Sequence, residues 1–222
     1  MKEKKLTIPL QEEETKKIDA GDIVYLDGTI FTGRIRFYEK VIVNNEKPPI
    51  DIAKTCNVNF HCSPAVSELD NGSYYISSVT GTASFRFEKY LEQLFERYQV
   101  KAIIGKGGMR KEYYEDVFFP NGVVYFLTVG YGLGATYGKS IIDVENVFWK
   151  EEFGLAQAMW IIRVRDFGPL LVDFDLKGNC LEDSYSKEIN KTFSTLINEY
   201  PLPSLKRSGE LSFNDVSKKV QS

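Results

Sequence analysis

Val100-Lys101-Ala102-Ile103-Ile104, running into Gly105-Lys106-Gly107-Gly108, is the stretch on which the fold turns. Its apolar residues make a short buried strand, and the glycine cluster ends it. Upstream, Phe87, Leu91, Leu94, Phe95 and Tyr98 recur at helical spacing, with Glu88, Lys89, Glu92 and Arg97 between them. A helix therefore delivers the chain into that strand. Ser84, or Thr82 just before it, is placed to cap this helix. Downstream, Met109 to Phe118 reads as helical, and Gly122 to Val129 is the continuous apolar run of a buried strand.

The same alternation continues outward. Residues 22 to 26 read as a strand ending at Asp27-Gly28-Thr29, followed by a helix-like segment over 35–43 and a break at Pro48-Pro49. Two strands, 57–62 and 74–79, flank a loop carrying Pro64 and Asn71-Gly72. Gly130 to Gly138 is glycine-rich and takes no assignment. Strands over 159–164 and 169–174 meet at an Asp166-Phe167-Gly168 corner. An amphipathic helix beyond Asp183 reaches about Tyr200, stopped by Pro201 and Pro203, and a polar tail follows. Strands alternating with helices predict an α/β domain.

Composition narrows the function. A net charge of −3 gives no electrostatic reason to expect nucleic acid or an anionic membrane as partner. No apolar run approaches the roughly 20 residues that span a bilayer. Met1-Lys2-Glu3-Lys4-Lys5 has no apolar segment behind it, so it does not read as a secretory signal, and a cytoplasmic protein is expected. Cys56, Cys62 and Cys180 match no zinc spacing and form no CxxC run; they read as small buried apolar side chains. His61, the single histidine, has no partner set for a metal site or a catalytic relay, and reads as structural or surface.

Three cationic residues fall at comparable places. Arg34 follows the first strand, Arg86 opens the clear helix, and Lys106 leaves the next strand inside the glycine cluster. Ligands of open α/β sheets bind beyond the carboxyl ends of strands, so these side chains suit a small polyanion. Arginine's planar fork matches carboxylates, because it donates two parallel hydrogen bonds. Thr82 either caps the helix or faces that anion. Gly105 to Gly108 is not a phosphate-binding loop of the GxxxxGK[ST] type.

Five segments then resemble, in order, a known family. Ala20-Gly21-Asp22 through Gly28-Thr29-Ile30-Phe31-Thr32-Gly33-Arg34 is similar to the AGD…GT-[IL]-Y-T-x-R-D-x-AH opening of class I fumarate hydratase and L-tartrate dehydratase β domains. Ser63-Pro64-Ala65 stands at that family's GP strand end. Thr82-Ala83-Ser84-Phe85-Arg86-Phe87 resembles its TT-x-x-RM, Ala102-Ile103-Ile104-Gly105-Lys106-Gly107 its AMIGKG, and Arg165 through Asn179 its closing DFPA…DD-KGN.

The resemblance implies a swivelling β/β/α domain over 1–182, with a C-terminal helix and polar tail over 183–222. It implies a hydro-lyase subunit active only with an α subunit, as a dimer of αβ units. The partner would carry a 4Fe-4S cluster whose open iron acts as a Lewis acid on a C4 dicarboxylate. Fumarate to malate is the first expectation and tartrate to oxaloacetate the second. Arg34, Arg86 and Lys106 match substrate-clamping positions, and Thr82 matches a catalytic threonine acting with an aspartate of the partner. The sequence also departs from the pattern: Ile35 replaces the aspartate, Phe37-Tyr38 the AH pair, Ala83 the second threonine, and Thr80-Gly81 the GP before it. Those changes motivate an alternative, a catalytically divergent dicarboxylate-binding or regulatory paralogue.

Overall fold

The computed structural model describes residues 1–130 and 133–199. Two residues of the unassigned glycine-rich segment, and the polar tail with Pro201 and Pro203, lie outside the described residues. The chain divides into two compact units, Met1–Leu181 and Glu182–Ser222.

The strands, in chain order, are β1 (Glu3–Thr7), β2 (Ile23–Thr32), β3 (Val58–Phe60), β4 (Cys62–Glu68), β5 (Tyr74–Gly81), β6 (Ala102–Gly105), β7 (Val124–Thr128), β8 (Ile141–Phe148) and β9 (Met159–Phe174). The α-helices are α1 (Glu12–Thr15), α2 (Ile35–Tyr38), α3 (Ile52–Thr55), α4 (Glu88–Tyr98), α5 (Lys111–Tyr113), α6 (Gly134–Lys139), α7 (Lys150–Phe153) and α8 (Leu181–Glu199). Wider π turns continue α2 over Glu39–Val43 and α5 over Tyr114–Phe118, and a 3-10 turn, Ser84–Phe87, precedes α4.

The α/β expectation holds, with a sheet at the centre. The main sheet has the order β1-β2-β3-β6-β7-β9-β8, and β9 also pairs with β2. Strands β1, β2, β3, β6 and β7 are mutually parallel, whereas β9 is antiparallel to β2, β7 and β8. Because β9 bonds to β7 on one side and β2 on the other, β2, β3, β6, β7 and β9 close into a ring. Closure leaves only β1 and β8 as end strands of this sheet. Strands β4 and β5 form a separate hairpin.

Both faces of the central strands are buried. Val58, Phe60, Ala102, Ile104, Val124 and Phe126 share one cluster, while Ile103 and Tyr125 point into the other, with Phe37, Tyr38, Leu91 and Phe95 from the helices. Period-2 alternation inside a two-faced core is why 102–105 reads as an unbroken apolar run.

Several expected boundaries are corrected. Strand β2 does not stop at Asp27-Gly28-Thr29 but runs through it to Thr32. Gly28 (φ +120) sits at a register irregularity, and a Cβ there would lie 2.7 Å from the Ile8 carbonyl oxygen. Close backbone approach, rather than chain reversal, is what this glycine serves. The Pro64 segment is strand β4, not a loop; Pro64 pairs opposite Val79 in a two-stranded sheet, where a missing N–H is tolerated. The two strands expected around Asp166 are one strand of 16 residues, β9, with Asp166 (φ +49) absorbing the bend. In the second unit, Tyr185, Ile189, Phe193 and Leu196 form an exposed stripe on α8, matching the amphipathic pattern expected there.

Two of the family-like segments turn out to hold each other. Asp175 is fully buried and accepts hydrogen bonds from the backbone N–H groups of Ala20 (2.9 Å), Lys177 (2.8 Å) and Asn179 (3.0 Å). Asp22 accepts from the Lys2 N–H at 2.7 Å, and Gly21 N–H donates to the Val172 carbonyl at 2.8 Å. The opening and closing motifs are thus the two halves of a structural clasp.

Candidate active site

The parallel strands β2, β3, β6 and β7 all point their carboxyl ends the same way; Arg34 and Lys106 follow the ends of β2 and β6, whereas Thr82 and Arg86 follow β5 of the hairpin. Arg34 lies just past β2, heading α2. Its Nη1 donates to the Ala156 carbonyl at 3.0 Å, and its Nε is buried without a partner among the described residues. A buried donor without an acceptor costs free energy.

Thr82 and Lys106 are brought together by backbone, and Arg86 follows in the 3-10 turn just after Thr82. Thr82 N–H donates to the His61 carbonyl at 2.5 Å, Lys106 N–H to the Thr82 carbonyl at 3.3 Å, and Ser84 N–H to the Lys106 carbonyl at 3.3 Å, with Ala83 and Lys106 bridged in parallel. Ala83 therefore contributes main chain, and its lost hydroxyl does not disturb the bridge. Arg86 is exposed and forms no ion pair among the described residues. Lys106, with Thr80, Gly81, Leu127 and Thr128, lines a cleft of about 480 Å³.

Arg34 touches none of these three directly. Register places it, however: Thr32 pairs with Phe60, and Phe60 with Ile104. Arg34 and Lys106 thus leave the same end of the sheet two strands apart, roughly 10 Å at the backbone. Long side chains at that separation have room to close on a small diacid.

Neither Thr82 nor Ser84 caps a helix. Helix α4 begins behind Phe87, and neither it nor the preceding 3-10 turn has a side-chain cap. Ser84 is instead fully buried inside a polar chain that the sequence did not announce. Asn59 Nδ2 donates to Tyr38 Oη at 2.7 Å; Tyr38 Oη lies 2.7 Å from His61 Nε2; His61 Nδ1 lies 2.7 Å from Ser84 Oγ; and Tyr125 Oη donates to Ser84 Oγ at 2.7 Å. With the Asn59 amide donating to Tyr38, the Tyr38 proton goes to Nε2, so His61 carries its own proton on Nδ1 and donates it to Ser84.

Burial drives His61 down to a pKa of about 3, and raises Tyr38 and Tyr125 well above the ordinary phenol range. Every member of the chain is therefore neutral at physiological pH. His61 is structural, as one of the sequence readings allowed, but not a surface group. The signal for it lay in the alternation of Asn57, Asn59 and His61, which puts polar side chains at every second position of a buried strand. Phe37 and Tyr38, which replace polar family positions, are both fully buried; Tyr38 stacks on Tyr90 at 5.2 Å and meets the His61 ring edge-on.

Among the described residues no three His, Cys, Asp or Glu side chains group as a metal site. The cysteines are all buried, and burial pushes the Cys56 thiol up to about 12 and Cys62 further up despite the nearby Arg34 charge. Cluster ligation takes three or four thiolates converging on one point, and among the described residues these cysteines do not converge, so they do not fit an iron–sulfur cluster.

With this geometry, comparison with known proteins is informative. A family model described as Fumarase C-terminus matches residues 1–185. A Methanocaldococcus jannaschii protein named for the L(+)-tartrate dehydratase β subunit is 35% identical over 191 residues, covering 85% of this chain and 95% of that protein. The L(+)-tartrate dehydratase subunit beta of Escherichia coli strain K12 is 32% identical over 184 residues, covering 79% of this chain and 85% of its own length. A Geobacillus stearothermophilus protein named for class I fumarate hydratase is 31% identical over 182 residues, covering 82% of this chain but 34% of that longer polypeptide. The chain belongs to the class I fumarate hydratase and tartrate dehydratase β family.

Proposed function

We propose that this chain is the β subunit of a hydro-lyase that reversibly adds water to a C4 dicarboxylate, with fumarate/malate the first candidate pair and tartrate/oxaloacetate the second. The observation that carries the reading is the backbone bridge joining Thr82, Ala83 and Lys106, which holds the turn of Thr82 and Arg86 against Lys106, while Arg34 leaves the same end of the sheet as Lys106. Arg34 and Arg86 take the two substrate carboxylates through charge-assisted hydrogen bonds, and Lys106 adds a third donor at the cleft wall. Thr82 Oγ1, freed from any capping duty, passes the proton at the substrate carbon together with an aspartate of the partner.

The α subunit completes the site and holds the 4Fe-4S cluster. Relatives named as β subunits support the partnership, as does a hydratase relative in which the matched segment is only 34% of the polypeptide. The domain over 1–182 swivels to close over that partner, the segment 183–222 is an appendage to it, and αβ units pair. The buried placement of Phe37 and Tyr38 weighs against the binding-only paralogue, because these residues fill a core rather than blank out a site. To test the reading, the chain is co-purified with its α partner under anoxic conditions, and fumarate absorbance and oxaloacetate formation are followed. Turnover of one pair is expected; a cluster-loaded complex that turns over neither refutes it.

A further inference from the structure

The buried chain from Asn59 to Tyr125 has no duty in the reading above, yet it passes under every loop of the site. Tyr38 belongs to α2, the helix headed by Arg34. Ser84 lies in the turn between Thr82 and Arg86. Tyr125 sits below Gly105, next to Lys106: a Cβ on Gly105 would overlap both Tyr125 Oη and Ser84 Oγ. Gly33, beside Arg34, is likewise packed onto the Asn59 amide, to which a Cβ would come within 2.8 Å. In register, Asn59 pairs with Ile103 and Ile103 with Tyr125, so the ends of the chain stand two strands apart, roughly 10 Å.

One residue spans that gap. His61 is fully buried, and both its ring nitrogens are engaged at 2.7 Å, one by Tyr38 and one by Ser84. Its carbonyl also receives the Thr82 N–H. The ring is planar and rigid, so its two nitrogens hold the hydroxyls on either side at a fixed separation. Around it stand Tyr38, Ser84 and Phe87, none of them charged, so nothing there recruits a second proton.

We propose that His61 is a positioning residue: a neutral imidazole that fixes the spacing between the Arg34 helix and the Thr82–Arg86 turn, and thereby matches the clamp to the length of a dicarboxylate. The inference rests on the functional reading of Arg34, Arg86 and Thr82, and the experiment keeps the two apart. An amide at position 61 reproduces only half of the imidazole. His61→Asn places its N–H₂ where Nδ1 stood and keeps the Ser84 contact, whereas His61→Gln reaches the Nε2 position and keeps the Tyr38 contact.

The αβ complex is prepared with each variant; kcat and KM are measured, succinate affinity is measured by calorimetry, and Tm is recorded. His61→Asn should hold kcat while weakening KM and succinate affinity about 10-fold, and His61→Gln should lower kcat about 10-fold with affinity better kept, well within the cost of small misplacements. As the chain has one histidine, ¹⁵N NMR of the labelled full chain reads its ring alone. An Nδ1–H tautomer whose shifts stay constant from pH 5 to 9 is expected. A ring that titrates in that range, or variants that lower Tm while kcat and succinate affinity stay at wild-type values, overturns the proposal. A wild-type complex that binds succinate without turnover refutes the hydro-lyase reading, yet His61 is still judged by the affinity shift of His61→Asn. A complex that binds no dicarboxylate overturns both.

Discussion

His61 Nδ1 lies 2.7 Å from Ser84 Oγ in an interior where both residues are completely buried. The pair joins two segments that the sequence presents as separate motifs, the strand end before Ser63-Pro64 and the turn carrying Thr82 and Arg86. Burying two polar groups is favourable only when each finds a partner, and here each has at least two. The contact therefore ties the turn to the sheet without any charge.

That neutrality has a consequence for stability. The folded pKa of His61 is lowered by burial to about 3, against an unfolded value near 6.5. Below about pH 6.5 the unfolded chain binds a proton that the native state refuses, so stability falls as pH drops from about 6.5 toward 3. The expected contribution is about 1.4 kcal/mol per pH unit within that window. Denaturant unfolding of the chain from pH 5 to 8, beside His61→Gln, checks this: the wild type should lose stability more steeply below pH 6.5 than the variant. Parallel slopes would mean that the ring protonates in the folded state.

The clamp arginines should be unequal to lysine. Arg34→Ala or Arg86→Ala is expected to cost on the order of 100-fold in kcat/KM, because each removes charge-assisted hydrogen bonds made in a closed site. Arg→Lys should recover little, since an ammonium cannot reproduce the two-pronged donor. Arg34 Nη1 donates to the Ala156 carbonyl, and its buried Nε has no partner among the described residues. Steady-state kinetics on the four variants decides, and a lysine at wild-type efficiency would remove the bidentate role.

Gly105 should be intolerant of any side chain. A Cβ would overlap Ser84 Oγ and Tyr125 Oη, and neither is the far end of a flexible chain free to move away. Gly105→Ala is expected to destabilise by about 1–3 kcal/mol through overpacking, visible as a lower Tm and denaturant midpoint. Gly107→Ala serves as the contrast: nothing lies within 4 Å of its Cβ position, and its cost comes only from a φ of +81.

What the sequence made legible follows from periodicity. Helix α4 and strands β6 and β7 were readable because one face or both are largely apolar; Arg34 and Lys106 were readable because each stands just past a strand, and Arg86 because it stands just before α4. Strand β8 was not, since it is only partly buried and alternates weakly, nor was β1, whose lysines suit the end strand of a sheet. Gly28 and Asp166 hid the continuity of β2 and β9, because residues that break local patterns serve there as bends within a paired strand. Ser84 looked like a cap because hydroxyls near a helix start usually are one; its true partners, His61 and Tyr125, are 23 and 41 residues away. Beside Ser84 that long-range pairing leaves no local trace, whereas the Asn57, Asn59, His61 alternation does mark its other end.

The most direct test of the account is the turnover of the cluster-loaded αβ complex carrying Thr82→Val, measured beside wild type with Tm on the same samples. Valine keeps the shape of threonine and deletes its hydroxyl. Since Thr82 caps no helix, Tm should be unchanged, while proton transfer through Oγ1 predicts a fall in kcat of roughly 100- to 10,000-fold with KM less affected. Wild-type kcat from Thr82→Val would contradict the account.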